Sequence, residues 1–187
     1  MISRALLWRF RASPLPRMAR DDRGAAAVEF AIIAPLMLTL VFGTAEVSTA
    51  VSIDRKVVQT ARSLSDLVAQ SMVINDADMT NIFNAASAIM TPYSTTPLRI
   101  KVSAINIDAN GVAKVGWSQA SNDTARTVGS TVTLPTALAM PNSQLIWSEI
   151  AYDYTPPVAY VVTGPLKLSD QFFARPRQST TVCWNSC

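Results

Sequence analysis

"RGAAAVEFAIIAPLMLTLVFG", residues 23–43, decides how the rest of this sequence is read. From Ala25 to Ala45 the only charged side chain is Glu29. As a helix, that run would be about 31 Å long at about 1.5 Å per residue, enough to cross a hydrocarbon core about 30 Å thick. Pro35 lies inside it. In a water-exposed helix an interior proline costs about 3 kcal/mol, but a membrane helix accommodates one as a local kink. The stretch therefore predicts a membrane-spanning helix, with Glu46 marking its far interface.

Charge upstream of the run points the same way. Arg4, Arg9, Arg11, Arg17, Arg20 and Arg23 stand against Asp21 and Asp22, a local balance of +4 in a chain whose net charge is +3. The remainder is thus close to neutral, and a pI near 9.1 does not describe a nucleic-acid-binding surface. Pro14 and Pro16 interrupt a leader with no lasting periodicity. Its arginines favour the cytoplasmic side, which sends the chain beyond about Glu46 across the membrane.

Downstream, Ile53, Val57, Ala61, Leu64, Leu67/Val68 and Met72 recur at spacings of three and four, with Arg55, Lys56, Gln59, Arg62, Ser63, Asp66 and Gln70 on the other faces. One helix from Ala25 to about Met72 is expected, apolar all round in its first half and amphipathic in its second. The second half needs a sheet to lie on. Asn75 or Asp76 caps a shorter helix with Ile82, Phe83, Ala86, Ile89 and Met90 on one face, and Pro92 follows its end.

Strands come next. Leu98, Ile100, Val102 and Ala104 alternate, and the phase change at Ile105 and Ile107 suggests a bulge. Asn110-Gly111 signals a hairpin into a strand carrying Val112, Val115 and Trp117. Residues 119–143 read as a loop with a helical turn near Leu134–Met140. Ile146, Ile150, Tyr152 and Tyr154 share one face of the clearest strand, which Pro156-Pro157 ends. Residues 158–178 read as irregular, and Gln178–Trp184 as a last strand.

The chain contains no histidine, so His-based acid–base chemistry, Ser–His and Cys–His pairs and most zinc sites are excluded. No cofactor, metal or catalytic residue is expected. Cys183 and Cys187 are the two cysteines; in an oxidising compartment they would close a small terminal loop as a disulfide, and in a reducing one they would stay free. Asp76 and Asp78 read as caps rather than calcium ligands, and Arg175–Arg177 as a solvated loop. Trp117, Trp147, Tyr152 and Tyr154 read as sheet packing.

Glu29 leaves alternatives open. The segment could be a secretory signal cleaved after Ala45 or Ala50, although the apolar run is long and contains an acid. It could also be a plain signal anchor of a periplasmic binding or sensing module, with Glu29 snorkelling toward water.

A third reading comes from resemblance. Gly24 followed by "AAAVEF" resembles the processing site of type IV pilins and pseudopilins. More narrowly, "RGAAAVEFAIIAPLMLTLVFGTAEVS" with "DRKVVQTARSLSDLVAQ" resembles the TadE-like pseudopilins of tight-adherence (Flp/Tad) pilus systems, over about residues 18–75. The resemblance implies an α+β, pilin-like fold: a long N-terminal helix packed on a small antiparallel sheet. It implies a leader over 1–24, a membrane half over 25–46 and a periplasmic domain over 47–187. It also implies cleavage between Gly24 and Ala25 by a prepilin peptidase, and docking through Glu29 and Phe30. The implied partners are that peptidase, other pilins and pseudopilins, the inner-membrane assembly platform and membrane lipid, with no nucleic acid. The implied location is the bacterial inner membrane, single-pass, with the N-terminus cytoplasmic.

Two departures accompany it. The leader is long for this group, and Met18 offers a shorter start, "MARDDRG". The larger TadG relatives can carry a metal-binding domain with a D-x-S-x-S pattern, which this sequence does not contain.

Overall fold

The computed structural model describes residues 23–156 and 164–187. The leader arginines up to Arg20, Met18, Pro157 and the start of the stretch read as irregular lie outside the described residues. The elements are α1 (Arg23–Ala69), β1 (Val73–Ile74), α2 (Asp76–Met90), β2 (Leu98–Ile107), β3 (Ala113–Ser121), β4 (Ser143–Tyr154), β5 (Leu166–Ala174) and β6 (Cys183–Trp184). The chain divides into two compact units at Phe42/Gly43, a point inside α1. The expected α+β architecture is present: a long, apolar N-terminal helix and, in the second unit, an antiparallel sheet on which its later turns pack.

That sheet has the order β3-β2-β4-β5. Ile53, Val57, Ala61, Leu64, Val68 and Ala69 of α1 are fully buried against its inner face, which presents Leu98, Ile100, Val102, Ala104, Ile146 and Ile150. The three-and-four spacing thus becomes the core stripe. Small side chains let the helix approach β4. There Ser148 donates to the Ala61 carbonyl at 2.7 Å and meets the Ser65 hydroxyl at 2.7 Å. α1 ends at Ala69, earlier than its periodicity implied, so Met72 is exposed rather than in the core.

α2 begins with a capping box: the Asp78 amide donates to Asn75 and the Asn75 amide to the Asp78 carboxylate. Asn75 is the cap, as one of the two candidates. At its other end Lys56 of α1 donates to the Ile89 carbonyl at 2.8 Å, satisfying an acceptor that the helix itself cannot.

The phase change in β2 has a different cause from a bulge in that strand. β2 pairs with β4 in unbroken register from Leu98 to Ile107. Its apolar residues change parity because the covered face changes: Leu98–Ala104 meet the helices, whereas Ile105 and Ile107 join Ala113, Val115, Leu145 and Trp147 in a second core on the outer face, covered by Val132, Leu134 and Leu138. The register shift is real but belongs to β3. Ala104 pairs with Trp117 and Ile105 with Val115, leaving Gly116 as the extra residue. That residue turns Val115 outward and Trp117 inward. A side chain at Gly116 would meet the Asn106 amide nitrogen at 2.7 Å, which accounts for glycine here.

The hairpin at Asn110-Gly111 forms as expected: Gly111 has φ of +79°, and the Asp108 carboxylate accepts the Asn110 and Val112 amides. One expectation is corrected. Within the stretch read as irregular, Leu166–Ala174 is strand β5, paired with β4 over its whole length. Its inward positions are Leu168, Asp170, Phe172 and Ala174. A charged residue in that row and the exposure of an edge strand hid the alternation. β6 joins the parallel two-residue pair β1-β6 instead of the main sheet. Gln144 holds the residue before it, accepting the Val182 amide at 2.6 Å and donating to Asn106 at 2.8 Å.

Candidate functional site

Residues 24–42 of α1 form the part of the described chain with the least cover. Val28, Phe30, Ile32, Ile33, Leu36, Met37, Leu38, Leu40, Val41 and Phe42 are all exposed. α1 is long and apolar enough to cross a membrane, and none of its most apolar stretch is buried within the protein. Large apolar side chains on every side of a helix require lipid or other helices. Inside the run, Thr39 donates its hydroxyl to the Pro35 carbonyl at 2.8 Å, so that polar atom is satisfied within the helix, as hydrocarbon demands.

Gly24 and Ala25 occupy the first turn, both exposed, and among the described residues nothing lies within 4 Å of where a Gly24 side chain would stand. Glu29 and Phe30 are exposed one turn further on, Phe30 at 73%. Helical side chains lean toward the N-terminus, so the Glu29 carboxylate is directed back along the turn that begins at Ala25. A helix N-terminus carries partial positive charge, and an anion near it is favoured. These four residues therefore share one short helical segment. Residues 24–64 match the family model for TadE-like proteins. The TadE-like segment thus covers Gly24, Ala25, Glu29, Phe30 and α1 almost to its end, and leaves the sheet unmatched. No curated protein and no solved structure matches the chain.

Cys183 and Cys187, far along the chain from the TadE-like segment, are joined by a disulfide with Cα atoms 5.2 Å apart. Trp184 within that loop packs against Trp117 at 5.6 Å between ring centroids. Trp117, Trp147, Tyr152 and Tyr154 are all buried, in agreement with packing roles. Asp78 serves its cap, and Arg177 pairs with Asp66 and donates its amide to the Ala69 carbonyl, so it ties the chain to α1.

A polar groove of about 510 Å³ lies on the outer sheet face, lined by Arg99, Lys101, Asp123, Glu149, Lys167 and Gln171. Arg99–Asp153, Lys101–Asp123 and Arg126–Glu149 ion pairs spend much of its charge internally. Burial is the largest single influence on the Asp123 carboxyl and pushes it up, but the Thr124 amide, Lys101 and Arg99 together hold it below its ordinary range. Among the described residues no cluster of His, Cys, Asp or Glu could hold a metal ion.

Sequence reasoning missed the surroundings of Glu46. A carboxylate at the end of an apolar run reads as an interfacial charge, yet this one is only 4% exposed. Neither oxygen has a hydrogen-bond partner among the described residues. Burial raises the Tyr154 pKa, and the Glu46 charge adds to it. The signal was available in register: Glu46 lies seven residues before Ile53, on the stripe that packs on the sheet.

Proposed function

We propose that this protein is a minor pilin-like (pseudopilin) subunit of a tight-adherence pilus system. In this reading it is cleaved after Gly24 by a prepilin peptidase, held in the bacterial inner membrane by residues 25–46, and assembled through its N-terminal helix. Residues 1–24 stay cytoplasmic and residues 47–187 stand in the periplasm. There an oxidising environment suits the Cys183–Cys187 bond.

One observation carries the reading. The TadE-like match begins at Gly24, where an uncovered apolar helix starts with a single early acid. Cleavage there would leave an α-ammonium on Ala25. A carboxylate taken into hydrocarbon costs on the order of a few kcal/mol without a partner. The ammonium of a neighbouring subunit supplies one, so Glu29 registers helices, with Phe30 filling the contact beside it. Ala25, Ala26, Ala27 and Ala31 let helix backbones come close. The role is structural, exercised with other pilins and pseudopilins and the inner-membrane assembly platform.

The test is the mature N-terminus, read by mass spectrometry of the protein from its native host. Ala25 at the start is the expected result. An intact leader would favour an unprocessed anchor for a periplasmic binding or sensing module. A start near Glu46 or Val51 would favour secretion.

A further inference from the structure

The stripe that α1 lays on the sheet changes character at Ile53. Its later members, Ile53, Val57, Leu64 and Val68, are large, apolar and fully buried. The earlier ones are Gly43, Glu46 and Ala50, spaced three and four apart on the same face. Gly43 brings no side chain, Ala50 is half-buried, and the Glu46 carboxylate is buried with no partner for either oxygen among the described residues. Apolar burial holds the later turns down. In the earlier turns it supplies little, and at Glu46 it opposes contact, because a buried acceptor without a donor loses its hydration and gains no bond in return. Helix propensity does not compensate. Apart from Ala45, Glu46 and Ala50, residues 43–52 are glycine, serine, threonine and valine, all weaker helix formers than alanine. Thr49 donates to the Ala45 carbonyl at 2.9 Å and Ser52 to the Ser48 carbonyl at 2.8 Å, a back-bonding that weakens a helix slightly. Beyond Ile53 the hold tightens: Lys56 ties α1 to the end of α2, and Ser65 meets Ser148 of β4.

We infer that residues 43–52 form a release segment, which lifts from the sheet and unwinds as a local unit, driven by the buried carboxylate of Glu46, while the core from Ile53 onward stays closed. Opening carries that carboxylate into water, where its oxygens find donors. It also uncovers the Tyr154 end of β4, beside which Glu46 is buried. The boundary at Ile53 is set by the change from small or charged contacts to large apolar ones, so opening stops there. This inference is independent of the cleavage and docking proposed above.

The test is hydrogen–deuterium exchange of the full chain in dodecyl maltoside micelles, read by mass spectrometry of fragments within 47–52 and 57–68. Amides in 47–52 should exchange about 100-fold faster than those in 57–68. Glu46→Met should slow exchange in 47–52 about tenfold, since it removes the unpartnered acceptor. A second variant leaves Glu46 in place. Ser148→Ala weakens the core, so it should speed exchange in 57–68 about fivefold and leave 47–52 unchanged, because the local opening breaks no Ser148 contact. Exchange in 47–52 as slow as in 57–68 overturns the inference. Equal acceleration of both segments by Ser148→Ala also overturns it, since global unfolding would then be their shared route. Unchanged exchange of 47–52 in Glu46→Met removes the carboxylate as the driver, and the inference with it.

Discussion

The hydroxyl oxygens of Ser65 and Ser148 stand 2.7 Å apart in complete burial between α1 and β4. Ser148 gives its one proton to the Ala61 carbonyl, and Ser65 gives its own either to Ser148 or to the Phe172 carbonyl, both within reach. Two buried polar groups are thereby satisfied where helix and sheet meet, with no bulk to hold the elements apart.

Size should therefore matter more than polarity at Ser148. Ser148→Ala removes one hydroxyl while Ser65 keeps the Phe172 carbonyl, a loss of about 1 kcal/mol. Ser148→Leu forces the helix outward and should cost about 2–3 kcal/mol or more. Chemical denaturation of the two variants checks the order, and a leucine variant as stable as the alanine one would contradict this close approach.

Gly116 and Asn106 form a second coupled pair. An added Cβ would meet the Asn106 amide nitrogen at 2.7 Å, and the Asn106 oxygen is already bound to Gln144. Gly116→Ala should cost about 1–3 kcal/mol through that crowding. In Asn106→Ala the obstructing amide is gone, so the double variant should lose less than the two single losses together. Strict additivity would mean that the glycine serves backbone conformation instead.

Much of the fold was legible because burial on one side produces a regular pattern. Ile53, Val57, Ala61, Leu64 and Val68 fell on the predicted stripe, and Asn75, Gly111 and the β4 face were read from cap, turn and alternation signals. Periodicity fails where cover alternates. In β2 the apolar parity changed because helices cover one end and the 122–142 loop the other, on opposite faces. β5 was hidden by Asp170 in its inward row, and β1 and β6 are too short to show a period. At the candidate site, the placement of Gly24, Ala25, Glu29 and Phe30 on one helical segment was legible, since local order along one helix suffices; their cleavage and docking roles belong to the proposal. The burial of Glu46 depends on helix azimuth against a sheet formed about 100 residues later, as its proximity to Tyr154 shows.

Tyr154 and Glu46 give a pH dependence with a defined sign. Burial raises the pKa of Tyr152 and of Tyr154 above the ordinary 10.0, and Glu46 adds to the rise at Tyr154. Folded tyrosines thus hold their protons more tightly than unfolded ones. That contribution to stability is fully present below the ordinary tyrosine pKa and is lost as pH rises through the folded values. In Glu46→Gln the rise at Tyr154 shrinks, so alkaline destabilisation should be weaker than in the parent chain. Denaturant midpoints measured across alkaline pH test this; parallel profiles would show that the two groups do not interact. At neutral pH, Glu46→Met should stabilise by about 1–3 kcal/mol, because it removes a buried acceptor with no partner.

The C-terminal segment should depend more on Gln144 than on the disulfide. The Cys183–Cys187 loop is short, so opening it should cost no more than about 2 kcal/mol on loop-entropy grounds. Gln144→Leu leaves the buried Val182 amide without its acceptor and also frees Asn106. It should lower stability more than the double variant Cys183→Ala/Cys187→Ala does. Thermal melts of both decide, and the reverse order would place the hold on this segment in the covalent bond.

Glu29→Ala separates processing from docking. The bond between Gly24 and Ala25 lies one turn before Glu29, in an exposed first turn with no described residue within 4 Å of a Gly24 side-chain position. Removing the carboxylate leaves that turn unchanged, so the mature chain should still begin at Ala25. It also removes the acid that would pair with a neighbour's ammonium, a contact whose loss costs most where water cannot replace it. Stability of the sheet-bearing unit should be unaffected, since its core begins with the residues around Ile53. The expected phenotype is a processed, folded, membrane-held subunit that is absent from pilus fractions. Normal incorporation of the processed Glu29→Ala chain would rule out the docking role, and uncleaved chain would instead assign Glu29 to recognition by the peptidase.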